Sequence, residues 1–254
     1  MKSSQIGFAS LYDAQFQDYN HDLPFWLGLV ERFGDPVLEL GCGTARVLVP
    51  VLESGAAALG IDRDLAMLEI AQSRVSGSTQ LKSHAGSLAC MDLLCMGLQT
   101  QFALAIAPLN TLATVDDAGF IQILLQLSGL LQPHAALACE LPNPSTALDP
   151  DHNPDDVLDT FMLKGGELGV QVQARTPAPK PGVQRVDWTY SILHPEGEVE
   201  RVELKEDYYL RTPEELAGLC KAAGFSAPET YGDYDLQSYD ETSPRLLVVL
   251  HRVP

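Results

Sequence analysis

The spacing of apolar positions changes along the chain, and the changes divide it. From Asp22 to Phe33, "DLPFWLGLVERF" sets apolar residues at helical intervals, with Asp22 and Pro24 marking a helix start. "PVLEL" reads as a buried strand, Arg46 to Glu53 as a helix, "AAALGI" as a second strand, and Leu65 to Arg74 as an amphipathic helix whose apolar face includes Leu68 and Ile70. A short strand near Gln80 to Ser83, the strand "FALAIA" (Phe102 to Ala107), a helix from Asp116 to Leu131 and the strand "ALACEL" (Ala136 to Leu141) continue the series. Asp116 and Asp117 suit a helix N-terminus, and Pro133 lies past its end. Regular alternation of strand and helix predicts parallel pairing through crossover helices.

From Pro142 to about Leu210 the alternation stops. "NPSTALDPDHNPDDVLD" is a polar loop punctuated by proline, and it leads into "LGVQVQART", "VQRVDWTYSIL" and "EVERVELKEDYYL", whose period-two patterning predicts antiparallel strands. "HPEGE" reads as the hairpin turn between the last two. The first pattern then returns with "TPEELAGLCKAAGF", where Thr212 is an N-cap, Pro213 the first helical residue, Glu215 the second half of a capping box and Gly224 the stop. A strand from Glu229 to Tyr234 and a final apolar strand, "RLLVVLHR", follow through a short loop and are expected to be antiparallel. The predicted fold is α/β: a doubly wound, seven-stranded, mostly parallel sheet with its last strand antiparallel, helices on both faces, and a β-rich insertion after the fifth strand.

Composition narrows the function by exclusion. The chain has 254 residues, 46% hydrophobic and 20% charged, as expected of a globular protein with a well-buried core. Sixteen basic against 34 acidic residues give a net charge of −18, a field that repels phosphate backbones, so no nucleic-acid partner is expected. Cys42, Cys90, Cys95, Cys139 and Cys220 are odd in number and lack zinc-site spacing, and the six histidines are dispersed; reduced thiols in a cytoplasm and no metal are the expectations. "MKSSQIGFASLYD" lacks a signal-peptide core, and no run approaches the ~18–20 apolar residues of a membrane span, so no membrane partner is expected either.

The chemistry gathers on "VLELGCGTARVLVPVLESGAAALGIDRD", Val37 to Asp64, a strand, glycine turn, helix and strand ending at an acid. A dinucleotide fingerprint counted from Gly41 has Gly43 at its third position but Arg46 where its last glycine belongs, and no phosphate-loop lysine follows. Glu39, two residues before Gly41, and Asp62, at the end of the next strand, together with that turn, resemble the class I S-adenosylmethionine-dependent methyltransferases. Four further segments extend the likeness over nearly the whole chain. "YDAQFQDYNHDLPF" is similar to the N-terminal segment of a small-molecule subgroup, "GIDRDLAMLEIA" to its second strand and helix, "APLNTL" to its fourth-strand motif, and "TPEELAGLCKAAGF" with "YGDYD" and "SPRLLVV" to its closing helix and hairpin. The layout resembles amino-sugar and glycine N-methyltransferases, which also carry a β-rich elaboration after the fifth strand.

The resemblance implies S-adenosylmethionine as cofactor and a small-molecule acceptor methylated on nitrogen or oxygen by in-line displacement. Residues 1–141 would form an N-terminal flap and the cofactor-binding half, 142–210 a lid or oligomer surface compatible with a homodimer, and 211–254 the closing helix and hairpin. Glycines let the backbone lie against the methionine part. An ionised Asp62 suits both ribose hydroxyls, and Glu39 the ammonium, directly or through water. The implied cofactor set comprises Tyr19, Glu39, Gly41, Cys42, Gly43, Arg46, Asp62, Arg63, Met67, Gly86, Ser87, Leu88 and Ala107. Two departures stand out: Ala45 replaces the usual third glycine, and Ser87 and Leu88 occupy the place of the acid that positions adenine, with Asp92 further on.

Ligands of doubly wound sheets gather outside the carboxyl ends of the strands, which selects Asn110, Glu140, Asn143 and Asp233 to Asp235 on the acceptor side. Glu140, an acid leaving an apolar strand, is the candidate general base; Asn110 has an amide to hold the acceptor; Tyr12 matches a flap tyrosine near the sulfonium. A base is needed only if the acceptor must lose a proton. Two alternatives remain open on sequence alone: a catalytically silent binder of S-adenosylmethionine or S-adenosylhomocysteine, and a nicotinamide-dependent oxidoreductase.

Overall fold

The computed structural model describes residues 6–81, 87–147, 153, 155–163, 165–177 and 180–253. The chain divides into two compact units, Asn20–Ala147 with Tyr209–Pro254, and Met1–Tyr19 with Leu148–Tyr208.

In the first of these, seven strands form one sheet: β1 (Val37–Leu40), β2 (Ala58–Asp62), β3 (Leu88–Cys90), β4 (Phe102–Ala107), β5 (Leu131–Leu141), β10 (Glu229–Tyr231) and β11 (Leu246–His251), in the order β10-β11-β5-β4-β1-β2-β3. β1 to β5 run parallel, and β11 is antiparallel to both neighbours, as the alternating pattern predicts. The chain leaves β1 toward β2 and β3 and returns on the other side with β4, so the order reverses between β1 and β4. That switch point is where such sheets hold ligands.

Helices α2 (Leu23–Phe33), α3 (Leu48–Glu53), α4 (Leu65–Gly77), α5 (Asp117–Leu130) and α6 (Pro213–Ala222) belong to this unit. Phe25, Trp26, Leu29 and Val30 of α2 pack on Val37, Leu104, Ile106, Ala138 and Val249, side chains from four strands. Burial of each large apolar side chain of this kind is worth ~2–3 kcal/mol. A second cluster joins Leu48 and Leu52 of α3 to Ala71 and Val75 of α4 and includes Ala45. The predicted caps form: Asp116 accepts from the Gly119 amide at 2.8 Å, and Thr212 and Glu215 bond reciprocally as a capping box.

Several elements differ from the sequence expectation: β5 begins at Leu131 rather than Ala136, and β10 ends at Tyr231 rather than Tyr234. The third strand is Leu88–Cys90 rather than Gln80 to Ser83; Gln80 lies in a turn, and 82–83 fall outside the described residues. β3 is a three-residue edge strand with no buried residue, so it carries no apolar signal to read. α3 begins at Leu48, which leaves Arg46 in the turn before it. Asp22 starts α2 as expected, but its fully buried carboxylate makes no capping bond; it accepts from the Trp26 indole at 2.9 Å and from Arg46 instead.

The other unit holds α1 (Phe8–Phe16) and a four-stranded sheet of β6 (Asp159–Met162), β7 (Gly169–Arg175), β8 (Val183–Leu193) and β9 (Val199–Tyr209), in that order. β6 to β8 pair antiparallel, and the His194 amide donates to the Glu198 carbonyl at 2.9 Å in the expected hairpin turn. Alternate residues Val170, Val172, Tyr190 and Ile192 face Leu11 of α1 in one cluster. β6 escaped the sequence reading because only Phe161 of its four residues is even half-buried.

Candidate active site

The site is built at the carboxyl ends of β1, β2, β4 and β5. After β1, Gly41 and Gly43 take left-handed backbone angles (φ 64° and 51°). Gly41 has a further reason to lack a side chain, since a Cβ there would lie 2.5 Å from the Thr111 methyl. Cys42 is buried, its amide donating to the Ile61 carbonyl at 3.0 Å and its thiol packed where a side chain on Gly60 would stand. Burial, with Glu39 and Asp62 nearby, pushes the Cys42 thiol pKa far up, so it stays a neutral packing group.

Asp62 closes β2 with both carboxylate oxygens engaged. Oδ2 accepts from the Gly43 amide and Oδ1 from the Asp64 amide, each at 2.9 Å. One bond per oxygen leaves each a further acceptor direction, so the group is oriented without being saturated. The same bonds clip the glycine turn to β2.

Glu39 is the unusual member. It is 3% exposed, and its Oε2 is buried without a hydrogen-bond partner. Burial raises its pKa to about 8; Arg46 opposes the shift, while Asp22 and Asp62 add to it. A buried carboxylate oxygen with nothing to accept from is costly. It is the kind of atom that a cationic ligand would satisfy.

Arg46 turns away from solvent into a bidentate pair with Asp22, Nη1 to Oδ1 and Nη2 to Oδ2, both 2.7 Å. Nothing in the local sequence reveals that pairing. Ala45 has φ 64°, is fully buried and packs among the α3 and α4 side chains, so its methyl group goes into the core. Arg63 is exposed just after β2, and Met67 is buried on α4.

Beside Asp62, the residues at the carboxyl end of β3 are Cys90, Met91 and Asp92. Cys90 pairs with Asp62, and the Met91 amide donates to the Asp62 carbonyl at 2.8 Å. Ser87 and Leu88 sit at the amino end of the strand, and Gly86 lies outside the described residues. With β3 at Leu88–Cys90, Asp92 is the acid that follows the third strand. Glutamines of α5 fix this loop: Gln122 donates to the Leu94 carbonyl at 2.6 Å, and Gln126 accepts from the Met96 amide at 2.6 Å.

After Ala107, the turn Pro108 to Thr111 carries two consecutive left-handed residues, Leu109 (φ 49°) and Asn110 (φ 62°). The Asn110 Oδ1 is buried and unpartnered. Glu140, near the end of β5, is 5% exposed and receives three donors: the Tyr234 hydroxyl at 2.8 Å and the Leu109 amide at 3.3 Å on Oε2, and Arg245 at 3.2 Å on Oε1. Burial raises its pKa, against the lowering effects of Arg245, Tyr234 and Leu109.

Asn143 and Asp233 are brought to structural duties. The Asn143 amide donates to the Ser243 carbonyl at 2.7 Å and accepts from the Tyr239 hydroxyl at 2.7 Å, and one Asp233 oxygen accepts from the Asp235 and Gln237 amides. Tyr12 and Tyr19 belong to the other unit, where the Tyr12 ring packs tilted against Phe16, centroids 4.7 Å apart, and Tyr19 meets the same ring edge-on. Among the described residues no group of histidine, cysteine or acidic side chains is arranged for a metal ion, and no helix is long and apolar enough to cross a membrane.

Comparison with known proteins adds to this geometry. Residues 37–134 match a family model described as a methyltransferase domain, while no curated protein sequence matches the chain. The fold is similar to the sugar N-methyltransferase KedS8 from a Streptoalloteichus species, with a TM-score of 0.75, 19% identity and coverage of 100% of this chain and 96% of that one. It is similar also to SAM-bound CalS10, an amino pentose methyltransferase of calicheamicin biosynthesis from Micromonospora echinaspora, at 0.72 and 18%, covering 99% and 100%. An S-adenosylmethionine-dependent methyltransferase from Clostridium acetobutylicum aligns at 0.74 and 14%, covering 97% and 98%. The chain carries a methyltransferase domain and has the fold of the class I S-adenosylmethionine-dependent methyltransferases.

Proposed function

We propose that the protein transfers the methyl group of S-adenosylmethionine to a nitrogen, or failing that an oxygen, of a small molecule by in-line displacement. The observation that carries this is the buried, unpartnered Glu39 oxygen beside the glycine turn, whose unmet need is a cation with N–H donors. The cofactor's ammonium has that chemistry, and a nicotinamide dinucleotide offers no such group to this turn.

The residues present suit the cofactor. Glu39 holds the ammonium, the open acceptor directions of Asp62 take the ribose hydroxyls, and Gly41 and Gly43 admit the methionine part. Cys42, Arg63, Met67 and Ala107 enter the proposal on the sequence resemblance, and Asp92, which follows β3 beside Asp62, takes the place next to adenine in preference to Ser87 and Leu88. Arg46 acts through Asp22 and through its charge on Glu39. When bound, the cofactor supplies a sulfonium methyl as electrophile. The chain's own task is to aim the acceptor and keep water out. Asn110 Oδ1 accepts a hydrogen from the acceptor nucleophile, which leaves the nucleophile's lone pair free to face the methyl. Tyr12 and Tyr19 enter this proposal on the sequence resemblance alone. Nitrogen is favoured because KedS8 is a sugar N-methyltransferase and CalS10 acts on an amino pentose.

Calorimetric titration with S-adenosylmethionine, S-adenosylhomocysteine and NADH, followed by a methyl-transfer screen of amines and alcohols, tests the reading. Uptake of both methionine cofactors with turnover of an amine is the expected result. Uptake without turnover would point to a silent binder, and heat from NADH alone would remove the methyltransferase reading.

A further inference from the structure

Resting on the proposed function and deepening it, we infer that Glu140 is a positioning residue: its carboxylate braces the left-handed Leu109–Asn110 turn that aims Asn110 at the acceptor. The local backbone requires a brace. Two consecutive residues with side chains at φ 49° and 62° occupy a region that L residues avoid, and leucine, unlike asparagine, has no side-chain group to compensate. The Glu140 oxygen accepts the Leu109 amide, and the parallel register of Ala107 with Cys139 sets Glu140 alongside that turn.

The brace is itself held. Arg245 donates to one oxygen and Tyr234 to the other, and the Arg245 guanidinium lies 4.1 Å from the centre of the Tyr234 ring. A carboxylate facing three donors is poorly placed to take a proton from an acceptor, which separates this role from general-base catalysis. At its far end the same segment is held by Arg211, buried and donating to the carbonyls of Leu112 and Val115. Between the two holds stands Thr111, whose methyl occupies the space a Gly41 side chain would need, so the shape of the acceptor turn bears directly on the cofactor turn. Glutamine at 140 keeps an oxygen for Leu109 and Tyr234, and Arg245, partly exposed, can turn to water.

The test compares Glu140→Gln, Glu140→Ala and Glu140→Ala with Leu109→Gly, reading hydrogen exchange of the Leu109 amide and affinity for S-adenosylhomocysteine. In Glu140→Ala the amide should exchange, and the ligand dissociate, about 10-fold more readily, the effect of one lost hydrogen bond. Glu140→Gln should stay within about 3-fold of wild type on both counts, because the accepting oxygen remains. Glycine at 109 adopts the left-handed angles unaided, so the double variant should regain ligand affinity to within about 3-fold. Equal losses in the glutamine and alanine variants, or no recovery with glycine, would overturn the assignment. Failure of wild type to take up S-adenosylhomocysteine would remove the functional reading, while the exchange rates would still decide whether Glu140 braces the turn.

Discussion

The turns after β1 and β4 meet at the same end of the sheet and both need left-handed backbone, yet they obtain it differently. The first uses glycine at 41 and 43, and where it departs from glycine, at Ala45, the methyl group enters the core. The second keeps side chains at Leu109 and Asn110 and is fastened from outside by Glu140 and Arg211. The contrast teaches what each turn is for. Backbone that another group must approach closely dispenses with Cβ, whereas backbone that must present a side chain retains the strain and is held in place by hydrogen bonds.

The sharpest way to break the comparison is to put a side chain on the first turn. Gly41→Ala should cost about 3 kcal/mol in stability, combining overpacking against Thr111 with left-handed strain. Chemical denaturation would measure it. Adding Thr111→Ala should recover more than half, because the nearest remaining atom would then be the Thr111 Cβ at 3.4 Å. An unchanged loss in the double variant would mean that the two turns do not press on one another.

Asp62→Ala should weaken S-adenosylhomocysteine about 100-fold in calorimetry, since charge-assisted bonds of about 1.5–3 kcal/mol each are lost and the clip between β2 and the glycine turn goes with them. Glu39→Gln should weaken it about 10-fold while stabilising the free protein at alkaline pH. The sign follows from linkage. With a folded pKa of about 8 against an ordinary 4.5, the native state binds the extra proton between those values, so stability falls as pH rises through that window and the full penalty is present above it. The penalty is on the order of 5 kcal/mol. A pH series of denaturation midpoints should therefore fall less steeply in Glu39→Gln than in wild type. Ala45→Gly has the smallest expected effect, within about 1 kcal/mol in stability, as relief of strain offsets a buried methyl group. S-adenosylhomocysteine affinity should stay within about 2-fold, given that the methyl faces the core.

The sequence disclosed most where neighbouring residues cooperate. Alternating period, caps and glycine turn point to the seven-stranded sheet, and Glu39 and Asp62 stand out through the resemblance of their placement around the glycine turn to that of the class I methyltransferases. What escaped it depends on partners distant in the chain. Asp22 and Arg46 lie 24 residues apart and meet only when α2 packs on the sheet, so their ion pair has no local signature in the sequence. Glu140 stands in the sequence as a lone acid after an apolar strand, while its donors Leu109, Tyr234 and Arg245 lie up to 105 residues away. β3 was misplaced for a different reason. A three-residue edge strand with no buried side chain has almost no pattern, and its true position brings Asp92, distant from a strand at Gln80 to Ser83, to the strand's end.

Proton exchange on binding tests the central claim, that Glu39 is the receptor for the cofactor's ammonium, most directly. Titration of S-adenosylhomocysteine at pH 7 in buffers of different ionisation enthalpy reports the number of protons released. With Glu39 at a pKa of about 8 when free and charged when paired, close to one proton should leave per ligand bound, and Glu39→Gln should abolish the release. Tight binding with no proton release by wild type, or release that persists in Glu39→Gln, would contradict the assignment.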